Sequence, residues 1–127
     1  MEIGFLQAVA LGALCNALVC LAVWLSYSAR SVTDKVVAVL FPITAFVAMG
    51  FEHSVANMYF LAMGVLLRDH GSTELWDQTG AAPGDFPDLS WSDALLANLL
   101  PVTIGNVIGG SVMVGLVYWA VYLRPRR

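Results

Sequence analysis

The chain has 127 residues, 59% of them hydrophobic and only 12% charged, with a formal net charge of −3. A soluble domain carries about 25% charged residues. The composition therefore excludes an ordinary soluble globule, and the scarcity of Lys and Arg excludes a nucleic-acid-binding surface.

Three blocks, residues 5–27, 36–67 and 94–123, are almost wholly apolar or small. Each exceeds the ~20 residues that a helix needs to cross a hydrocarbon core about 30 Å thick. The expected architecture is an all-α membrane protein: one transmembrane domain, 1–127, with three spans and an extramembrane loop at 68–93. Arg30 and Lys35 follow the first block, and Arg124, Arg126 and Arg127 follow the third. The loop holds Asp69, Glu74, Asp77, Asp85, Asp88 and Asp93 against one Arg68. Basic flanks mark the cytoplasmic side, so the turn at 30–35 and the C-terminus are expected inside and the acidic loop outside. The N-terminus is then outside with no leader sequence before it, which suggests the second part of a larger protein.

In the first span, Ala8, Gly12, Asn16 and Val19 recur at helical spacing as a stripe of small or polar residues, a pattern that lets membrane helices approach closely. Cys15 and Cys20 sit on different faces of this helix and cannot pair within it; they are expected to be small buried residues. Trp24 and Tyr27 suit an interfacial belt.

The second block is too long. A continuous helix over 36–67 would measure about 48 Å at 1.5 Å per residue. It also contains Pro42, which favours a kink, and then Gly50, Glu52 and His53. An ionisable residue at membrane depth costs at least ~2.5–3.5 kcal/mol on insertion scales and usually faces a cavity or a partner. We expect a half-helix at 35–49, a non-helical turn at 50–53 and a second half-helix at 54–67, as in membrane proteins whose broken helices line a cavity. On the second half-helix, His53, Asn57, Phe60 or Leu61, and Gly64 share a face. His and Asn one turn apart can bind one passing ligand or each other. Glu52 is expected to support the broken turn by hydrogen-bonding its backbone, rather than to relay protons.

Gly71, Ser72, Gly80, Pro83, Gly84 and Pro87 break up the loop. Its Trp76, Phe86 and Trp91 can pack back on the membrane surface, and His70 reads as an exposed loop histidine. The third span carries Pro101, the pair Gly105 and Gly109 at GxxxG spacing, and a deep Asn106, suited either to an interhelical hydrogen bond or to a pore wall. Tyr118, Trp119 and Tyr122 form an aromatic belt ahead of Arg124.

The polar set to weigh is thus Asn16, Glu52, His53, Asn57 and Asn106. One buried His offers too few ligands for a metal, so no metal or cofactor is expected. Ser54 alone makes no nucleophile–base pair, and the chain is not expected to be an enzyme. A His in an apolar constriction can hold an anion, share a proton with it and release it.

The motif Gly50-Phe51-Glu52-His53-Ser54-Val55-Ala56-Asn57-Met58 resembles the signature of the formate/nitrite transporter family. Leu99-Leu100-Pro101-Val102-Thr103-Ile104-Gly105-Asn106-Val107-Ile108-Gly109-Gly110 is similar to that family's last-helix motif. Asn16 with Leu18-Val19-Cys20-Leu21-Ala22-Val23-Trp24 is similar to its fourth helix. Phe51 and the long acidic loop look more like the formate channels than the nitrite branch. The resemblance implies an aquaporin-like fold of two inverted three-span repeats and homopentamers in the inner membrane. It implies transport of small monovalent weak-acid anions, formate and possibly nitrite. His53 would stand at the pore centre, with Asn57, Asn16 and Asn106 along the pore and Glu52 and Gly50 supporting the broken helix. The chain would correspond to the C-terminal half, without the broken second helix and its threonine, and without a lysine at the outer end of the fourth helix. The alternative is a non-transporting fragment, or a split subunit that needs a separate N-terminal half. Alone, the chain is expected to be unstable in membranes.

Overall fold

The computed structural model describes residues 3–125; Met1, Glu2 and the expected tail residues Arg126 and Arg127 lie outside them. The described residues are helical or irregular, with no strand among them. Helix α1 (Phe5–Ser28) is followed by α2 (Val32–Ala48), α3 (Ser54–His70) and the short α4 (Thr73–Thr79). Last comes α5 (Trp91–Leu123), a continuous 33-residue helix. Helices α1 and α5 are each long and apolar enough to cross a membrane.

These two helices form the core. Where they cross, backbone approaches backbone. A Cβ built on Gly12 would lie 2.7 Å from the Val102 carbonyl oxygen, and Cβ atoms on Gly105 and Gly109 would overlap the Val9 and Ala13 carbonyls. The GxxxG pair therefore faces α1, and no larger residue fits there. Ala8, Cys15 and Ala22 of α1 and Val102 of α5 are buried. Helix α2 leans on α1 and has no buried residue, while α3 packs against α5.

Helix α2 begins three residues before the expected 35. Ser31 and Asp34 form a reciprocal capping box: the Asp34 N–H donates to Ser31 Oγ at 3.1 Å, and the Ser31 N–H donates to Asp34 Oδ2 at 3.1 Å. This satisfies backbone donors that the first turn would otherwise leave open. Pro42 sits inside α2 without ending it. The helix ends at Gly50, whose φ of +65° is left-handed, a region that a residue with a Cβ avoids. The Phe51 N–H donates to the Phe46 carbonyl at 3.0 Å and the Gly50 N–H to the Val47 carbonyl at 3.1 Å, the paired bonds of a Schellman stop.

Helix α3 runs to His70 rather than to the expected 67, with Arg68 and His70 in its last turn, where cations favour the helix dipole. The loop that follows is partly helical. It contains α4, capped by Ser72 and stopped by left-handed Gly80, and a 3₁₀ turn over Pro83–Asp85. It folds back on α3, with Leu89 reaching 3.1 Å from a Cβ built on Gly64. Trp76 lies against Gly71 and beside Phe86, ring centroids 6.3 Å apart, whereas Trp91 is exposed. Helix α5 starts at Trp91 because the Ser90 hydroxyl caps Asp93. Its turns widen to π geometry at Ala94–Leu99, just ahead of Pro101, and again at Gly109–Leu116 and Trp119–Leu123. A proline removes one bond of the helical ladder and crowds the carbonyl four residues back; a wider turn upstream relieves that crowding.

Candidate functional site

The site is the five-residue gap, 49–53, between α2 and α3. Helix α2 stops at Gly50, and His53 is the first cap residue of α3, with an extended backbone (φ −118°, ψ 118°). The His53 side chain does not cap the helix. Asn106 on α5 does that work from across the bundle. Its Oδ1 accepts from the Ser54 N–H at 3.0 Å and from the Ser54 hydroxyl at 2.9 Å. Its Nδ2 donates to the Gly12 carbonyl at 2.9 Å and to the Glu52 carbonyl at 3.2 Å.

One buried amide, only 6% exposed, thus joins α1, the gap and α5. Both of its protons and two acceptor positions are used, which is all an amide offers. Asn16 adds to the clasp, donating from Nδ2 to the Asn106 backbone carbonyl at 2.6 Å. Of the two roles open to Asn106 on sequence, the interhelical bond is the one its geometry fills, and it leaves no free donor for a ligand. The clasp grips α1 at Gly12 and Asn16, near the middle of that helix, so the gap lies at mid-depth of the α1–α5 pair.

Glu52 and Asn57 form a second cluster. Asn57 Nδ2 donates to Glu52 Oε2 at 2.5 Å and to Asn98 Oδ1 at 2.7 Å. The Glu52 carboxylate therefore braces the turn through a side chain; its expected bond to the turn's backbone is not made, and that backbone is tied by Asn106 instead. The Asn57 amide is likewise committed to Glu52 and Asn98 rather than to His53. Only the backbones of His53 and Asn57 meet, with the Asn57 N–H donating to the His53 carbonyl at 2.9 Å.

His53 is half-buried, and among the described residues its side chain makes no hydrogen bond. Its ring stands against Phe46, with centroids 5.9 Å apart and planes tilted by 31°. An imidazole with one apolar wall and unspent nitrogens, at a helix N-terminus that favours negative charge, can bind an anion and exchange a proton with it. Among the described residues, no group of three His, Cys, Asp or Glu side chains is placed to hold a metal.

Two site residues escaped the sequence reading. Asn98 carried the same signal as Asn106, an amide inside an apolar block, eight positions earlier on the same helix. Ser54 was weighed as a nucleophile and instead presents its N–H and hydroxyl to Asn106. Both cysteines are free thiols; Cys15 is buried, and Cys20 is half-buried near Gly110.

A family model described as "Formate/nitrite transporter" matches residues 1–120. The chain is 52% identical over 120 residues to the formate channel FocA of Escherichia coli K12, a match covering 94% of this chain and 42% of that protein. It is 46% identical to FocA of Haemophilus influenzae, covering 87% of this chain and 39% of that one. It is 41% identical to a probable formate transporter of Methanothermobacter thermautotrophicus, covering 87% and 33% respectively. Among solved structures it is similar to a pentameric formate channel with formate bound, with a TM-score of 0.87 and 47% identity, covering 95% of this chain and 48% of that one. The chain spans less than half the length of these relatives. All-helical, with helices suited to a bilayer and a family model matched over nearly its whole length, the chain is a membrane protein belonging to the formate/nitrite transporter family.

Proposed function

We propose that the chain forms one three-span repeat of a six-span, aquaporin-like channel protomer, and that the complete protomer conducts small monovalent weak-acid anions past His53. Formate is the first candidate, because relatives at 52% and 46% identity are named formate channels; nitrite is the second. The spans are α1, the α2–α3 pair broken at the gap, and α5. The observation that carries the reading is the gap itself: a mid-depth histidine with an unspent side chain, on a backbone held from behind by Asn106, which Asn16 in turn ties to α1. Asn57 stands beside it with Glu52, and Gly50 supplies the left-handed stop.

The chemistry is a proton loan. A formate anion entering an apolar constriction loses hydration, which is costly for a charge. Protonated His53 attracts it and hands over a proton, leaving neutral imidazole and neutral formic acid. The neutral acid crosses the apolar wall, and return of the proton releases the anion. The protomers assemble as a homopentamer in the lipid of the inner membrane, with the turn at 30–35 and the C-terminus cytoplasmic and the acidic loop outside.

The test is formate uptake into vesicles carrying the full-length gene product, wild type against His53→Ala and His53→Asn. The expected result is uptake that depends on pH in the wild type and loses that dependence in both variants. Unchanged pH-dependent uptake in the variants overturns the role of His53.

A further inference from the structure

We infer that Asn98 is a positioning residue for the anion path, acting through Asn57 on the Glu52–His53 turn. The inference rests on the reading of His53 as the pore group. A side-chain amide has two N–H donors, and both of those on Asn57 are assigned: one to Glu52 Oε2 at 2.5 Å and one to Asn98 Oδ1 at 2.7 Å. Each partner offers an acceptor to that nitrogen, so the pair fixes which way the amide faces. Glu52 belongs to the gap, Asn57 to α3 and Asn98 to α5, and the three side chains therefore tie the turn that carries His53 to the continuous helix at a second point, apart from the Asn106 clasp. Asn98 also borders a cavity of about 230 Å³ with Leu61, Leu89, Asp88 and Asp93. It thus stands between the loop side of the bundle and the gap.

Without the Asn98 oxygen, one Asn57 proton has no acceptor in a half-buried site. The amide is then free to turn, and Glu52 loses a donor held in a fixed direction. Asn98 touches no reacting atom in this account. Its effect is on the fraction of time the turn is correctly arranged, so it should move the maximal flux more than the apparent affinity.

The experiment uses the full-length gene product in liposomes, with initial formate flux per assembled channel measured across formate concentrations. Asn98→Leu is expected to lower maximal flux about fivefold, the worth of one ordinary hydrogen bond, with little change in the half-saturating concentration. Asn98→Gln keeps a neutral acceptor oxygen and is expected to retain more flux than Asn98→Leu. In an Asn57→Leu background, Asn98→Leu should add no further loss, because residues acting through one another are non-additive. Wild-type flux in Asn98→Leu, or a full additional loss in the Asn57→Leu background, overturns the inference. Asn98→Ala serves the same comparison if Asn98→Leu does not assemble. A His53→Ala channel with unaltered flux would instead remove the underlying reading, whereas His53-dependent flux indifferent to Asn98 removes only this inference.

Discussion

The second and third apolar blocks are alike in length and each contains a proline, yet one breaks and the other does not. As single helices, both would measure about 50 Å, well beyond a ~30 Å core. Helix α5 remains continuous over 33 residues, taking up Pro101 with widened turns. Residues 32–70, which contain the second block, divide into two 17-residue helices at Gly50, and Pro42 has no part in the division. Neither excess length nor proline decides the outcome. A helix stops where a left-handed glycine closes its last carbonyls and where a partner elsewhere satisfies the donors of the next helix. The broken span depends on the unbroken one, because α5 supplies the amides, Asn106 and Asn98, that hold the gap in shape.

That contrast can be broken from several directions. The largest effect is expected at the α1–α5 seam. Gly105→Leu forces a side chain into the Val9 backbone, and since overpacking a compliant core already costs about 1–3 kcal/mol, size-exclusion chromatography of the full-length gene product should show loss of the assembled form. Asn106→Ala should come next. It strands the Glu52 carbonyl and the Ser54 N–H and removes the cross-helix bond to the Gly12 carbonyl, at about 1–3 kcal/mol for a buried group left unsatisfied, read as lower thermal stability in detergent and faster amide exchange at Ser54. Gly50→Ala keeps the break but strains it, by about 1–2 kcal/mol for a left-handed Cβ, and Gly50→Asn should recover part of the melting temperature. Ser31→Ala removes the α2 capping box at about 1 kcal/mol, with a small fall in melting temperature and no effect on the gap.

Much of this was legible in the sequence. The three apolar blocks, the break after Gly50 and the close glycine seam follow from hydropathy, length and small-residue spacing, which are local properties. Helix ends were less legible: Ser31 with Asp34 and Ser90 with Asp93 moved two helices upstream through side-chain bonds that periodicity does not record. Partner choice was the least legible. An amide in an apolar block announces that it needs partners, but not which ones. Asn106 faces the gap's backbone while Asn16 binds the Asn106 carbonyl, and Asn57 turns to Asn98 rather than to its helical neighbour His53. Those distinctions depend on how α1, α3 and α5 cross, a tertiary fact.

The central claim is a division of labour: Asn106 holds the gap in shape, and His53 is proposed to use it. The most direct test is the thermal melting of Asn106→Ala beside His53→Ala in the full-length gene product. The account predicts a clear drop for Asn106→Ala and a melting temperature near wild type for His53→Ala, whose side chain makes no hydrogen bond among the described residues. Equal destabilisation by the two variants, or a stable Asn106→Ala, would contradict it.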